Sequence, residues 1–374
     1  MTRRPVICFL TGTLNALAGA ERVTACIANA LAARGFEVHV LSLYDEASAF
    51  PLDPAIRHSA LFPARPSFKR HYAATVRGIR RHMVRHGIDV LVEVDPMLTL
   101  FTLPALLGTR TRRVAWEHCH FDEDLGKPAR RVARRLAART AAAVVVLTEP
   151  DRRRWQAALR HRFRIAAIAN PLPFALPDLA TATPALDAKR TVLAVGRLVD
   201  AKGFDILLRA WESVIRQAPD WRLEIVGEGP ERPALEQMVA RAQMAASVAL
   251  PGARTDIEAA YRDAGVFCLS SRYEGFGLVL LEAMAFGLPV VASACEAGPR
   301  ALLVDGVNAI TVPPEDPAAL ARGLLRAIGD AALRARLAEG GRRTASAHTT
   351  ERIVAHWEAL FAEITSIAGG GPSG

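Results

Sequence analysis

The chain has 374 residues, of which 51% are hydrophobic, so it is long for one domain and suits two domains of about 150–200 residues. Its five cysteines are odd in number and show no Cys-x-x-Cys spacing, which excludes a disulfide framework and favours buried thiols in a reducing compartment. Since no uncharged apolar run reaches the roughly 18–20 residues that span a bilayer, the sequence predicts no transmembrane helix.

Positive charge is concentrated in the first half of the chain. Residues 1–172 carry 27 Lys and Arg against 14 Asp and Glu, whereas residues 173–374 carry 20 against 24. A basic half can serve nucleic acid or an anionic membrane. Its arginine runs lack interleaved aromatic residues and any nucleic-acid module signature, so a nucleic-acid-binding protein is the weaker alternative.

Two interpretations compete for the N-terminus. Arg3 and Arg4, followed by an apolar stretch and Ala18-Gly19-Ala20, are typical of a secretory signal peptide. The alternative is a first strand at 6–10, a loop at 11–19 and a helix from about residue 20. We favour the strand, because the rest of the chain needs one and the loop contains Gly12 and Asn15, where a signal peptide would be apolar.

Apolar strands alternate with amphipathic helices through the first half, which predicts a doubly wound parallel sheet. The predicted strands are 6–10, 37–43, 89–92, 113–116 and 142–147. The predicted helices are 20–33, 70–86, 97–107 and 127–139.

A Pro-rich stretch, starting at Asn170-Pro-Leu-Pro173 and running on to Pro184, predicts an interdomain linker, after which the alternation restarts. Predicted strands follow at 191–195, 222–226, 247–250, 266–269 and 289–292. Predicted helices follow at 204–217, 231–244, 255–262, 278–286, 316–329, 331–345 and 350–365. The sequence therefore predicts an α/β protein of two Rossmann-like domains.

The most informative stretch is the segment 270–285, Ser-Ser-Arg-Tyr-Glu-Gly-Phe-Gly-Leu-Val-Leu-Leu-Glu-Ala-Met-Ala. It is a strand–Gly loop–helix unit, which directs unpaired backbone N–H groups and a positive helix end at one point, as a phosphate requires. Glu274 and Glu282 flank the loop with seven residues between them. A carboxylate beside a phosphate site more plausibly accepts hydrogen bonds from sugar hydroxyls, so the pattern indicates a nucleotide sugar.

This string, followed by Gly-Leu-Pro-Val-Val at 287–291, resembles the Glu-x7-Glu motif of retaining glycosyltransferases of family 4. The resemblance implies the GT-B fold, two Rossmann-like doubly wound domains facing a central cleft. It places an acceptor-side domain at 1–172 and a nucleotide-sugar-binding domain at 173–349. A C-terminal helix at 350–367 would cross back to the first domain, and 368–374 would be a flexible Gly-rich tail.

Within the second domain, Gly196-Arg-Leu-Val-Asp-Ala-Lys-Gly203 resembles the family signature whose Arg and Lys hold the donor diphosphate, here Arg197 and Lys202. The resemblance implies that Glu274 binds the donor sugar and that Glu282 binds the ribose hydroxyls. It implies weaker donor contacts from Gly229 and Arg254, either of which can equally be a turn residue. The donor-binding loop and helix start are Gly275, Phe276, Gly277, Leu278 and Val279.

In the first domain, Gly19-Ala-Glu-Arg22 resembles a family loop that meets the donor diphosphate, although Ala18 replaces a usual glycine. The segment Trp116-Glu-His-Cys-His120 resembles the family Glu-His segment, which gives His118 a catalytic role beside Glu274, Arg197 and Lys202. His120 is a weaker candidate, for contact with the acceptor.

The resemblance implies a hexosyltransferase that works without a metal or other cofactor, since two cations, Arg197 and Lys202, neutralise the diphosphate. UDP is the commonest family donor, and GDP stays open. The expected acceptor is a glycan or lipid-linked glycan of the cell envelope, reached from the cytoplasm or the inner face of the plasma membrane. The main alternative is a sugar-nucleotide epimerase of the same fold. A nicotinamide-dependent dehydrogenase is weaker, because no Gly-x-Gly-x-x-Gly follows either first strand.

Overall fold

The computed structural model describes residues 3–178, 189–254, 256–296 and 298–366. These residues form two compact units, of which the second spans Phe174–Thr349 and the first holds the preceding residues together with the C-terminal helix. Each unit is built on one parallel sheet. The tail predicted at 368–374 and the linker residues 179–188 lie outside the described residues.

The first unit contains seven strands and six α-helices in its described part, with a 3-10 turn at Pro96–Leu98. In chain order these are β1 (Ile7–Thr11), α1 (Gly19–Ala33), β2 (Val38–Tyr44), β3 (Arg57–Phe62), α2 (Tyr72–Arg85), β4 (Val90–Glu93), α3 (Thr99–Ala105), β5 (Arg112–Trp116), α4 (Ala129–Thr140), β6 (Ala143–Val146), α5 (Glu149–Ala158), β7 (Arg164–Ala167) and, at the end of the chain, α13 (Thr350–Ser366).

The sheet of the first unit has the strand order β3-β2-β1-β4-β5-β6-β7. Strand β1 is an interior strand of this sheet, with Ile7 opposite Val38 on one side and Val90 on the other, and all five of its residues are buried. The prediction of a first strand is therefore confirmed. Strands buried on both faces need apolar side chains throughout, which explains the unbroken apolar runs in the sequence.

The second unit contains six strands and seven α-helices in its described part, with a 3-10 turn at Asp200–Lys202. In chain order these are β8 (Thr191–Val195), α6 (Phe204–Gln217), β9 (Arg222–Val226), α7 (Arg232–Arg241), β10 (Val248–Gly252), α8 (Ile257–Asp263), β11 (Val266–Leu269), α9 (Leu278–Ala285), β12 (Val290–Ser293), α10 (Gly298–Leu302), β13 (Ile310–Val312), α11 (Pro317–Gly329) and α12 (Ala331–Ser346).

The second sheet has the order β10-β9-β8-β11-β12-β13, with every pair parallel. The chain first adds β9 and β10 on one side of β8, and then adds β11, β12 and β13 on its other side. The connections that follow β8 and β11 therefore leave the sheet in opposite directions. In an open α/β sheet, such a reversal leaves a crevice at the carboxyl ends of the two strands, where ligands bind. The core against this sheet includes the fully buried Trp211 and Leu207 of α6 and Leu324 of α11.

The last helix, α13, belongs to the first unit and packs on α1. Arg34, which follows α1, donates from Nη1 to Glu358 Oε2 at 2.6 Å, and the Thr350 hydroxyl donates to the Leu172 carbonyl at 3.0 Å. The buried Trp357 ring meets the Trp116 ring edge-on at 4.9 Å between centroids. Among the described helices, none is both long and apolar enough to cross a membrane.

Candidate active site

Two segments meet at the β8–β11 reversal of the second sheet. The first runs from Gly196, after β8, through the 3-10 turn to Lys202, and the second is the loop between β11 and α9. The loop is tied to the turn by the Arg272 backbone N–H, which donates to the Ala201 carbonyl at 2.9 Å. The Arg272 side chain also donates to both carboxylate oxygens of Asp205, at 2.8 and 2.9 Å, and so holds the loop on the start of α6.

Lys202 and Glu274 form a direct ion pair at this reversal, with Nζ donating to Oε1. The Glu274 side chain is 10% exposed and that of Lys202 is 22% exposed. The Ser271 hydroxyl donates to the same carboxylate oxygen at 2.9 Å, and the Ser270 hydroxyl donates to the Lys202 carbonyl at 2.9 Å. The structure therefore brings together two of the predicted catalytic residues, which the chain separates by 72 positions.

Arg197 lies in the same turn but in a different environment. It directly follows Gly196 and is exposed, and it has no ion pair or side-chain hydrogen bond to the part of the chain that the structure describes. A solvated guanidinium keeps all five N–H donors available for an anion. Arg197 is thus suited to bind a phosphate without first breaking a protein contact.

The N-terminus of α9 faces the end of the loop. Gly277 caps it in the left-handed region, with φ +84°, a conformation that favours glycine. Phe276 is 4% exposed, and its backbone is so close to Gly298 that a Cβ there would lie 2.3 Å from the Phe276 Cα. The first turn of α9 begins with Leu278 and Val279, whose N–H groups have no partner within the helix and suit an anion.

Glu282 lies one turn further along α9 and is 3% exposed. The Tyr261 hydroxyl donates to its Oε2 at 2.8 Å, and the Tyr261 ring is buried and stacked on Phe286 at 5.5 Å. Tyr261 thus orients a buried carboxylate whose position on the helix is one turn behind the anion-binding N–H groups. Its partner tyrosine comes from α8 and was not anticipated from the sequence.

Gly229 and Arg254 have structural partners. A Cβ on Gly229 would lie 2.2 Å from the Leu198 carbonyl oxygen, so glycine is required here for close backbone packing. Arg254 donates to Glu224 of β9 at 3.0 Å from Nη1 to Oε1. These contacts account for both residues without a ligand, and their predicted role in donor binding stays a prediction.

In the first unit, His118 lies two residues beyond the end of β5. Its ring is half-buried and lies 4.2 Å from the Trp116 ring between centroids, and its buried Nε2 has no hydrogen-bond partner among the described residues. Burial lowers the pKa of His118 to about 4, so its imidazole is neutral at pH 7. Gly19 is exposed at the first position of α1, after the loop that follows β1.

His120 has protein partners on both ring nitrogens. Its Nε2 contacts the Arg154 guanidinium, and its Nδ1 accepts from the Asp122 backbone N–H at 3.2 Å. Its side chain is 10% exposed. These contacts give His120 a structural role in the loop after β5, and its proposed contact with the acceptor stays a prediction.

Sequence reasoning missed a buried ionic cluster beneath this loop. Glu117, 1% exposed, accepts from Arg130 Nη1 at 3.1 Å and from Arg134 Nε at 2.6 Å. Arg134 also donates to the carbonyls of His120 and Phe121, at 3.0 and 2.5 Å. Burial raises the pKa of Glu117 to about 7 although both arginines oppose the shift. The cluster fixes the loop that carries His118.

The same cluster shows that the arginine-rich helix α4 does not present all of its arginines to solvent. Five of its arginines, 130, 131, 134, 135 and 139, suggest a basic surface from sequence alone. Arg130 and Arg134 are 2% and 3% exposed, so they are internal partners of Glu117 and contribute nothing to a basic surface. Their four-residue spacing places them on one helix face, which was the available signal.

Comparison with known proteins shows the family to which this chain belongs. Residues 17–175 match a family model described as Glycosyltransferase Family 4, and residues 189–330 match one described as Glycosyl transferases group 1. An uncharacterized glycosyltransferase of Haemophilus influenzae is 31% identical over 94% of this chain and 99% of its own length. The chain is a family 4 glycosyltransferase.

Two further similarities refine the comparison. The GalNAc-alpha-(1->4)-GalNAc-alpha-(1->3)-diNAcBac-PP-undecaprenol alpha-1,4-N-acetyl-D-galactosaminyltransferase of Campylobacter jejuni is 25% identical over 96% of this chain and 98% of its own. The crystal structure of Anabaena HepE in complex with UDP has a TM-score of 0.79 at 22% identity, covering 96% of this chain and all of that one. The predicted GT-B fold with two Rossmann-like domains is confirmed, and glycosyl transfer in polysaccharide or glycolipid synthesis is favoured over the epimerase and nucleic-acid alternatives.

Proposed function

We propose that this glycosyltransferase moves a hexose-type sugar from a nucleoside diphosphate to a glycan or lipid-linked acceptor, with retention of anomeric configuration. The observation that carries the proposal is the Lys202–Glu274 pair at the β8–β11 reversal. In this pair, a lysine that can bind a diphosphate lies beside a carboxylate that can accept hydrogen bonds from sugar hydroxyls. The exposed Arg197 and the N-terminus of α9 belong to the same site. A nucleotide sugar has both chemical parts within one molecule.

The proposed donor is a UDP-sugar, with GDP as the alternative nucleotide. Arg197, Lys202 and the first N–H groups of α9 neutralise the diphosphate in this proposal, so no metal ion is needed for its departure. Support for the nucleotide comes from HepE, a similar fold described in complex with UDP. Support for a lipid-linked acceptor comes from the Campylobacter jejuni relative, whose name includes a PP-undecaprenol glycan.

The proposed transfer proceeds on one face of the sugar. The bond between the anomeric carbon and the diphosphate oxygen breaks first, and an oxocarbenium-like centre develops. The acceptor hydroxyl forms the new bond from the same face, and its proton passes to the departing phosphate oxygen. Glu274 would stabilise the developing positive charge and hold a sugar hydroxyl, and the neutral His118 would contact the transferred sugar.

The two carboxylates should differ in what they bind. If Glu282 holds the ribose, Glu282→Gln should weaken UDP binding about 10–100-fold, because a hydrogen bond to a charged group contributes about 1.5–3 kcal/mol. Glu274→Gln should lower turnover while leaving the affinity for UDP nearly unchanged. Calorimetric titration of UDP alone into each variant measures the difference.

Tyr261→Phe measures the contribution of the orientation of Glu282 separately, since it removes the 2.8 Å hydrogen bond but keeps the carboxylate and the ring. We expect it to bind UDP within a few fold of the wild type. Equal UDP affinities for Glu282→Gln and Glu274→Gln would contradict the division of roles.

We further propose that the first unit docks on an anionic membrane through the exposed side of α2, from the cytoplasmic face. Ile79 and Met83 of this helix are buried in the core, so its apolar face is already used by the protein. Arg77, Arg81 and Arg85 are exposed on the other side. Arg80 is excluded from the docking set because its Nη1 donates to the carbonyls of Ala105 and Leu107, at 2.9 and 2.8 Å.

Membrane binding should therefore weaken in an Arg77/Arg81/Arg85→Gln variant and at high salt. Each arginine near anionic lipid contributes about 1 kcal/mol, and the Debye length falls from about 10 Å at 0.1 M salt to about 3 Å at 1 M. The measurement is co-sedimentation with vesicles that contain or lack anionic lipid. The matched control is Arg222/Arg241/Arg326→Gln, three exposed arginines of the second unit. Equal binding to neutral and anionic vesicles would contradict the docking proposal.

A further inference from the structure

Three histidines converge under helix α2 in the first unit. His82 lies on α2, His86 directly follows the end of this helix, and His39 comes from β2. One ring nitrogen from each of the three lies within 4.8 Å of the other two. Their ring centroids are 4.6–5.6 Å apart. None of them belongs to the proposed donor site.

Two of these rings carry buried nitrogens with no hydrogen-bond partner among the described residues, His39 Nδ1 and His82 Nε2. The His39 side chain is fully buried. Buried polar atoms are nearly always paired, because an unpaired one loses its hydration without compensation. Two unpartnered nitrogens on neighbouring rings of one cluster therefore indicate that something other than protein pairs with them.

The contact between His39 and Glu37 selects the ring nitrogen of His39 that can bind a metal. Its Nε2 lies 3.3 Å from Glu37 Oε1, which also accepts from Arg57 Nη1 at 3.1 Å. A proton on Nε2 shared with this carboxylate leaves a lone pair on the buried Nδ1, which has no hydrogen-bond partner among the described residues. Metal-binding histidines have this arrangement, in which a carboxylate fixes the tautomer and raises the basicity of the ligand nitrogen.

We propose that His39, His82 and His86 form a binding site for Zn²⁺ or a similar transition-metal cation, which ties α2 to the sheet. Three imidazoles suit zinc, cobalt, nickel or copper and do not suit magnesium or calcium, which take oxygen ligands. At Zn–N distances of about 2.0–2.1 Å, tetrahedral ligands lie about 3.3 Å apart, so the rings need only close by small side-chain rotations.

The positive charge around the cluster favours an anion as the fourth ligand of the metal. A groove of about 540 Å³ adjoins the cluster between α2 and β3, and His82, His86, Arg77, Arg81 and Arg85 are among its lining residues. These arginines repel a bare divalent cation, as does Arg57 beyond Glu37. They would stabilise an anion on the fourth position, such as a metal-bound hydroxide, which lowers the net charge of the site.

The test is titration of Co²⁺ and Zn²⁺ into the untagged full-length protein after treatment with EDTA. The proposal predicts one equivalent of Co²⁺ with the strong visible absorption of a four-coordinate nitrogen site, displaced by Zn²⁺. Zn²⁺ should also raise the melting temperature. His39→Gln and His82→Gln should weaken binding by about 100-fold or more, and Glu37→Gln by about 10–100-fold.

His58→Gln is the matched control. His58 lies on β3, the strand that pairs with β2, and its Nε2 is hydrogen-bonded to the Ser42 hydroxyl at 2.9 Å. It is paired with Val40, the residue after His39, so strand alternation places it on the opposite face of the sheet from His39. It should bind both metals like the wild type. His86→Gln, at the end of α2, provides a readout if His39→Gln does not fold. The absence of stoichiometric binding in the wild type, or equal losses in His58→Gln and His82→Gln, would overturn the proposal.

Discussion

Replacing Lys202 with alanine is expected to lower kcat about 10²–10³-fold, on the order of 3–4 kcal/mol, and Arg197→Ala should do the same. Each change removes a positive charge from the place where the proposed diphosphate leaving group gains negative charge. Lys202 is also the ion-pair partner of Glu274, so its loss leaves a nearly buried carboxylate that keeps the hydrogen bond from the Ser271 hydroxyl but loses its positive partner. Arg197 has no such partner in the described chain, which makes it the cleaner of the two substitutions.

Steady-state rates with UDP- and GDP-sugars measure the effect, and the melting temperature of each variant separates turnover from folding. Arg216→Ala is the matched control, since this arginine is exposed on α6 of the same unit and its Nη2 donates to the Ser213 hydroxyl at 3.2 Å. It should leave kcat unchanged. Near-normal activity in the Arg197/Lys202 double variant would exclude the site assignment.

Arg134→Ala is expected to destabilise the first unit by about 3–5 kcal/mol, because it removes one partner from a buried ion pair and leaves Glu117 with less compensation. The guanidinium also holds the loop after β5 through three carbonyl groups, those of His120, Phe121 and Glu123. The free energy of unfolding can be followed in urea by tryptophan fluorescence. Hydrogen exchange of residues 117–123 should accelerate more than exchange of the second sheet.

Arg135→Ala is the control for this prediction. Arg135 is the next residue of α4 and is exposed, so its removal should change stability by no more than about 0.5 kcal/mol. If the two variants unfolded at the same urea concentration, the buried cluster would not have the stabilising role that its geometry indicates.

The central strands of both sheets were predictable because they are buried on both faces. Strands β8, β9 and β11 have the bounds that the sequence predicts, since each is mostly apolar and has a glycine directly next to one end, Gly196, Gly227 and Gly265 respectively. The edge strands β3, β7 and β13 were missed. Strand β3 is half-exposed and carries Arg57, His58 and Ser59, so neither an apolar run nor a regular alternation marks it.

The donor-site residues were predictable because they lie in short segments directly after strands. The carboxyl ends of parallel strands lie at one edge of the sheet, so residues in such segments come close together. The pairs that support them were not, since they join distant positions: Lys202 with Glu274, Tyr261 with Glu282, and Arg134 with Glu117. Helix α4 shows the physical reason most clearly. Its buried face is made of alanines and two arginines, so the apolar signal that normally marks the inner face of a helix is weak.

The most direct test of the central claim is calorimetric titration of UDP, with EDTA present, into the wild-type protein and into the Arg197/Lys202→Ala double variant. The proposal predicts one UDP bound per chain without a metal, and a large loss of affinity in the double variant while its melting temperature stays near that of the wild type. Equal UDP affinity in the two proteins, or binding that requires a divalent cation, would contradict it.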